Sequence, residues 1–379
     1  MATAAFLLRM LSLVACSTAR EAPQVVLVTG ASGFLGSHVV QKLLAMGWAV
    51  RGTVRSSPES SSYDFLRSLD VVGERLELVQ ADLKGTSQAE WDAVARGVTH
   101  CVHVASPFPS STPKNETEDL IIPAVEGTET VIRACMRAKV SRIVLTSSVA
   151  AIEGDQSSTL PSTEESWTDI EKVDGYSRSK TLAERAAWRL TQHPETGLEP
   201  TELVVINPSF IVGPVLSSKA GSSLELIQAF FDIFRLPAIP SLLFHLVDVR
   251  DVAAAHAVAL TEPEARNQRF ICSAVQKSVP FMEMAKILQA EFGPLGYWIS
   301  TFAMPYFVFY ALSFVDQGVA VLLPRWEQQG LLDNSKIQKT LKVSFRPVNE
   351  TLVQTGHSLI RNGLVPMSTH HRRLSADEL

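Results

Sequence analysis

The chain has 379 residues, 46% of them apolar and 19% charged, with 20 Gly and 20 Pro. That is the composition of a folded chain long enough for two closely packed lobes, and it excludes a disordered or fibrous protein. A formal net charge of −5 provides no basic surplus for a dedicated nucleic-acid binder, and four Cys without a CxxC pair or a neighbouring His indicate neither a zinc site nor a disulfide framework.

Residues 1–24 hold Arg9, the apolar run Met10–Cys16 and the small residues Ser17, Thr18 and Ala19, with no acid before Glu21. This suits a secretory leader or an Arg-bearing mitochondrial presequence. From Gln24, short apolar runs alternate with helical stretches. Val25–Thr29 reads as a strand buried on both faces. The glycine loop Gly30–Gly36 follows, then a helix over Ser37–Met46 with Val39, Val40, Leu43 and Leu44 on one side, stopped by Gly47. Further strands are expected at Ala49–Val54, Leu76–Gln80, Thr99–Val104, Arg142–Thr146 and Glu202–Ile206, with helices over Glu118–Ala138 and Tyr176–Thr191. The polar stretch Gln156–Asp174 reads as a loop bordering a site. This alternation predicts an α/β fold, a Rossmann-type doubly wound parallel sheet.

After Asn207 the pattern becomes mixed. Pro208, Gly213 and Pro214 precede an apolar helix Leu224–Phe234 and a strand Phe244–Val249, as expected for a smaller C-terminal α/β substrate lobe. The expected organisation is a leader over 1–24, a nucleotide domain over 25–206, a substrate-binding lobe over 207–365 with some late strands returning to the main sheet, and a flexible tail over 366–379. Tyr297–Phe314 is 18 residues long, uncharged and aromatic, just the length of a spanning helix. Pro305 and Asp316 favour instead a lid over an apolar pocket or a segment lying on a membrane surface. The last residues, Ala376-Asp377-Glu378-Leu379, resemble a retrieval signal. With the leader they point to the endoplasmic reticulum lumen, where the sequons Asn115-Glu116-Thr117 and Asn349-Glu350-Thr351 would matter; the alternative address is cytoplasmic.

Gly30-Ala31-Ser32-Gly33-Phe34-Leu35-Gly36 is a GxxGxxG loop between a strand and a helix. Bare backbone there lets the turn tighten and a pyrophosphate approach the helix N-terminus. An acid near the end of the second strand would accept a ribose 2′-hydroxyl, but the run from Val50 to Ser57 holds none, and Arg55 offers a planar cation to a 2′-phosphate. NADP(H) is therefore the expected cofactor; the plainer reading of Arg55 is a solvated loop charge. Asp82 and Leu83, after the third strand, are placed to meet the adenine, although Asp82 also reads as a turn cap.

Tyr176-Ser177-Arg178-Ser179-Lys180 is a Tyr-x-x-x-Lys pattern, whose spacing puts both side chains on one helix face. Lys180 is expected to hold the nicotinamide ribose and lower the Tyr176 pKa, so that Tyr176 donates a proton to a carbonyl oxygen as hydride reaches its carbon. The fifth strand ends in Thr146-Ser147-Ser148, and a hydroxyl there can steady the charge developing on that oxygen. Ser148 takes this role, with Ser147 as the fallback.

Together these residues resemble the extended short-chain dehydrogenases, and within them the dihydroflavonol 4-reductase-like group. The likeness covers about Val25–Val365, through VTGASGFLGSHVV, VRGTVRSSP, ADL, VHVASPF, PAVEGTETVIRAC, IVLTSSVAAIEG, YSRSKTLAERAAW, INPSFIVGP, LVDVRDVAAAHAVAL and LLDNSKIQKTLKVSFRP. It implies a Ser148–Tyr176–Lys180 triad acting on a small carbonyl or alcohol substrate, and NADP(H) held at Gly30, Gly33, Phe34, Leu35, Gly36, Arg55, Asp82, Leu83, Ala105, Lys180 and Pro208, with the Pro208-Ser209 turn beside the nicotinamide. No metal is implied, and both monomer and homodimer are compatible. Where plant dihydroflavonol reductases carry an Asn that grips flavonoid hydroxyls, this chain has Glu153. Where cinnamoyl-CoA reductases carry Asn-Trp-Tyr-Cys-Tyr, it reads Lys172-Val173-Asp174-Gly175-Tyr176. Both departures count against those substrates. His256 is expected to be structural and Asp251 to cap its helix. The rival readings are a sugar-nucleotide epimerase, a 3β-hydroxysteroid dehydrogenase, or a silent NADP-binding sensor. Ser147-Ser148 lacks the acids of dehydratases, and the retained Tyr and Lys oppose a sensor.

Overall fold

The computed structural model describes residues 24–106, 115–153, 160–218 and 222–372. The expected leader and the last residues, Ala376–Leu379, lie outside these. Eleven strands are present among the described residues: β1 (Val25–Thr29), β2 (Ala49–Val54), β3 (Leu76–Gln80), β4 (His100–His103), β5 (Arg142–Thr146), β6 (Glu202–Pro208), β7 (Phe210–Val212), β8 (Leu243–Phe244), β9 (Leu246–Asp248), β10 (Arg269–Cys272) and β11 (Val279–Pro280). Seven of them form one parallel sheet in the order β10-β6-β5-β4-β1-β2-β3.

Side chains alternate across a strand, so a run that is apolar throughout must be covered on both faces. That is what occurs. Val26 and Val28 of β1, Val102 of β4, Val144 of β5, and Val204 and Ile206 of β6 enter one cluster. Their neighbours Leu27, Cys101, Ile143, Leu145, Leu203 and Val205 enter the other. The helix Phe34–Ala45 packs on the helix Val249–Ala259 over the first face, and the helices Gln88–Ala95, Ile122–Arg137 and Gly175–Gln192 pack in series over the second. This is the doubly wound sheet that the sequence predicts.

The C-terminal part builds a third cluster around Phe230, Phe244, Phe281 and Phe292. The single strand expected over Phe244–Val249 is two, because β8 pairs antiparallel with β11 whereas β9 pairs parallel with β7. The chain changes partner at His245. The helix expected over Leu224–Phe234 runs Ser222–Ala229. The segment 297–314 folds as a loop followed by the short helix Tyr306–Leu312, which buries Phe309 and leaves Phe307 and Phe314 exposed. No helix of the described residues is long and apolar enough to cross a membrane. In the expected tail the structure describes residues as far as Arg372, and the Ser368 N–H donates to the Tyr297 hydroxyl at 3.2 Å.

The cap of the helix Val249–Ala259 corrects the sequence reading. Asp248, not Asp251, is the N-cap, and its Oδ1 accepts the Arg250 N–H at 2.8 Å. Asp251 instead accepts the backbone N–H of Arg346 at 2.7 Å and pairs with its guanidinium. The sequence misleads here because acids at 248 and 251 are both compatible with a first turn. Buried Asp248 also binds the Arg250 guanidinium through both oxygens and the Thr351 hydroxyl. Asp248→Ala should therefore cost roughly 2–3 kcal/mol in urea unfolding, the loss expected when a cap and charge-assisted hydrogen bonds are removed together. A loss under about 1 kcal/mol, no more than an ordinary cap, would show that this network does not fix the helix.

Candidate active site

In a parallel sheet the strand C-termini share one edge, and the residues of interest stand along it. After β1, Gly30 adopts φ +66°, and its carbonyl accepts the Gly33 N–H at 3.0 Å. A side chain at Gly36 would overlap the Gly30 carbonyl oxygen, so helix and turn meet there only as bare backbone. The helix Phe34–Ala45 opens with Gly33 as N-cap, without a side-chain cap and without an acid in its first turn. Its first N–H groups are thus free for an anion. Phe34 is half-buried and Leu35 buried. The backbone N–H of Gly30 and of Ala31 bind Thr53 of β2, fixing the loop against the sheet.

At the end of β2, Arg55 is exposed, and the next acid along the chain, Glu59, accepts a hydrogen bond from the Ser57 hydroxyl. At the end of β3, Asp82 Oδ1 accepts the Lys84 N–H at 3.3 Å, so it does cap a turn. Leu83 packs toward Gly127 on the helix behind. At the end of β4, Ala105 approaches Gly30 and donates its N–H to the Thr29 hydroxyl at 3.0 Å, and that hydroxyl in turn lies 2.7 Å from His103 Nδ1. His103 is buried, and its Nε2 finds no partner among the described residues. Burial, with the Lys180 charge second, pushes the His103 pKa down to about 3, so the ring is neutral.

The end of β5 separates the two serines. Ser147 is buried and donates to Glu184 Oε2 at 2.6 Å. Half-buried Ser148 caps the turn Val149–Ala151 and hydrogen-bonds the Tyr176 side chain. Ser148 is the serine placed beside the phenol. Tyr176 lies in the first turn of the helix Gly175–Gln192, whose N-cap Asp174 accepts the Ser177 N–H at 3.0 Å. Lys180 Nζ sits 5.8 Å from the centroid of the Tyr176 ring. Structure and sequence differ on the phenol. Burial holds its pKa above the ordinary value, against the Ser148 hydrogen bond and the Arg325 charge, whereas the Tyr–Lys spacing predicts a lowered one. Desolvation of the phenolate outweighs the Ser148 hydrogen bond and the Arg325 cation.

At the end of β6, Pro208 and Ser209 are buried, and the side-chain oxygens of Asn207 and Ser209 have no partner among the described residues. These orphaned atoms and the free helix N-terminus fit a ligand with phosphates and a polar ring substituent.

Several groups at this edge escape the motif search. Glu184, four residues after Lys180, continues the helix periodicity, while His103 and Asn207 stand at strand C-termini, where ligand sites of such sheets cluster. Those are signals a sequence carries. Arg325 and His245 carry none, since only tertiary packing brings them near Asp174 (3.7 Å) and Glu153 (2.9 Å). His256 is buried, and its ring nitrogens lie 2.7 Å from the Thr146 hydroxyl and 2.8 Å from the Val252 carbonyl. No group of three or more potential metal ligands occurs among the described residues.

The model of the NAD dependent epimerase/dehydratase family matches residues 26–272. The chain belongs to this family. Its relatives place it among the dihydroflavonol-reductase-like extended short-chain enzymes. Tetraketide alpha-pyrone reductase 2 of Arabidopsis thaliana is 38% identical over 255 residues, 65% of this chain and 77% of that one. Cinnamoyl-CoA reductase 1 of Petunia hybrida is 32% identical over 356 residues, covering 91% and 95%. Among solved structures, the yeast methylglyoxal/isovaleraldehyde reductase Gre2 complexed with NADPH superposes with a TM-score of 0.73 at 27% identity, covering 89% of this chain and 98% of that one.

Burial sets a pH dependence that needs no substrate. The Lys180 ammonium is pushed from its ordinary 10.5 down to about 8. Between those values the unfolded chain holds a proton that the folded chain has lost, so stability rises with pH through this window, and below about 8 the penalty is complete. Lys180→Met should therefore melt above wild type at pH 7, and the gap should close as the pH approaches 10.5. Melting curves that differ equally at pH 7 and 10.5 would show that Lys180 is not strained by burial.

Proposed function

We propose that the protein is an NADP(H)-dependent reductase that passes hydride between the nicotinamide and a carbonyl or alcohol carbon of a small organic substrate. The observation that carries this reading is the hydroxyl pair Ser148–Tyr176, with the Lys180 ammonium beside the same phenol, at the sheet edge that also presents the glycine turn. The reductases among its relatives, and the NADPH-bound yeast structure, support it.

The chain's own groups would divide the work as follows. Gly30, Gly33 and Gly36 admit the pyrophosphate to the N–H groups of Phe34 and Leu35, and the Arg55 guanidinium meets the 2′-phosphate. Asp82, Leu83 and Ala105 line the adenosine side, and Pro208 lines the nicotinamide side. When bound, NADPH supplies the hydride. Tyr176, whose phenol is neutral at physiological pH, has a proton to give to the substrate oxygen. Ser148 donates to the same oxygen as negative charge builds there, and Lys180 holds the ribose and favours the phenolate left behind.

Substrate choice rests partly on Glu153, five residues beyond Ser148. Its Oε1 lies 2.9 Å from His245 Nδ1, while His245 Nε2 lies 3.2 Å from the Gln276 carbonyl. A carboxyl side chain at this place suits a substrate with a polar group near its carbonyl better than the flavonoid ring of an Asn-bearing relative.

NADPH oxidation measured against a panel of aldehydes, ketones, sterones and flavanonols tests the reading. Tyr176→Phe should lose about 10²–10⁴-fold in kcat on any carbonyl that wild type reduces, with NADPH binding retained. Equal turnover by the two proteins would remove the mechanism. Arg55→Ala should raise the KM for NADPH by roughly 10–100-fold, the worth of a charge-assisted hydrogen bond, and leave that for NADH unchanged. Parallel losses for both cofactors would return Arg55 to an ordinary loop charge.

A further inference from the structure

Tyr176, Lys180 and Glu184 follow at four-residue intervals on one helix, so the face carrying the phenol and the ammonium ends, one turn deeper, in a carboxylate. Glu184 is 1% exposed, and four donors satisfy it. Oε2 accepts from the Ser147 hydroxyl at 2.6 Å and from Asn207 Nδ2 at 2.8 Å. Oε1 accepts from Arg269 Nε at 2.5 Å and Trp188 Nε1 at 3.3 Å. The amide of Asn207 has two hydrogens, and it also donates to the Ser148 carbonyl oxygen at 3.1 Å. One carboxylate oxygen thus holds Ser147 directly and the main chain of Ser148 through one amide.

We infer that Glu184, backed by Arg269, is a positioning residue that sets Ser148 against Tyr176; this rests on the reductase reading above. Neither side chain reaches the crevice. Their effect passes through Asn207 to the carbonyl of Ser148, whose hydroxyl is the one bonded to the phenol. Arg269 extends the hold to the loop preceding the helix. Its Nη1 donates to the carbonyls of Glu164 and Ser166 at 2.7 and 2.8 Å, and its guanidinium lies 3.8 Å from the Trp167 ring centroid. Charged hydrogen bonds shielded from water are short and directional, which gives this assembly the stiffness to fix a hydroxyl. A buried pair serving stability alone would have no reason to share its acceptor with the residue beside the catalytic serine.

The test reads the phenol itself. The chain has five tyrosines, so protein labelled with carbon-13 at the tyrosine phenol carbon gives a tractable spectrum, in which Tyr176→Phe assigns the Tyr176 signal. A hydrogen bond from Ser148 stabilises the phenolate, so misplacing Ser148 should raise the Tyr176 titration midpoint. We expect a rise of roughly 0.5–1 pH unit in Glu184→Leu/Arg269→Leu, the size of losing one such bond. The double variant removes both charges together and leaves neither buried alone. Glu184→Gln retains an acceptor oxygen and should shift the midpoint less, and Asn207→Ala should shift it as far as the double variant. Midpoints unchanged in all three, whatever their melting temperatures, would overturn the inference. Tyr176→Phe assayed separately for NADPH oxidation with isovaleraldehyde and the carbonyl panel reports on the reductase reading, so the two can fail independently.

Discussion

All seven strands of the main sheet run in one direction, and that constraint organises the molecule. Parallel pairing delivers every strand's C-terminus to one edge, so residues far apart in sequence converge without any loop having to reach across. Gly30, Arg55, Asp82, Ala105, Ser148 and Pro208 follow β1 to β6 or end them. The strand order makes β1 and β4 neighbours, and the crevice between them is closed by hydrogen bonds rather than by packing alone: Ala105 N–H to Thr29, and Thr29 to His103. A dinucleotide laid along this edge would meet a floor already fixed.

The same geometry gives the seventh strand a part at this edge. β10 extends the sheet beyond β6 and brings Arg269 against the helix that carries Tyr176 and Lys180. Without that cation Glu184 would be a buried, uncompensated carboxylate, a costly arrangement. With it, the late part of the chain becomes a support for the helix that carries Tyr176 and Lys180, the Ser147-Ser148 turn and the loop at Glu164–Trp167 at once. Lobe and sheet are coupled a second time through Asp248, which caps one helix and binds Thr351 of another.

Strands buried on both faces were the most legible features. Val25–Thr29 and Arg142–Thr146 coincide with their predicted runs, because burial on two sides admits little else, and the edge strand Leu76–Gln80 has its expected bounds although none of its residues is fully buried. The glycine turn and the Tyr-Lys spacing were legible for a related reason, since each demands particular residues at fixed intervals. What escaped the sequence depends on tertiary context. β10 is four residues long and looks unremarkable until β6 is beside it. The break at His245 arises from a change of pairing partner, not from any local breaker. The acids at 248 and 251 are equally good caps in isolation, and only Arg346 draws Asp251 away. The direction of the Tyr176 shift was misread because spacing reports the neighbouring cation and says nothing of desolvation.

Charge at this edge is managed by burial. His103 is held near 3 and His256 near 4, so both rings are neutral at physiological pH and act as fixed hydrogen-bonding groups. Thr29 and Thr146, at the ends of β1 and β5, each bond one of them. Had the His103 imidazole been protonated, a further cation would lie close to Lys180 and depress its pKa further below about 8. Keeping it neutral leaves the ammonium able to hold its proton at pH 7. Burial therefore works in two directions within a few residues. It removes charge from the histidines beneath this edge, and it raises the pKa of the Tyr176 phenol, favouring its neutral form.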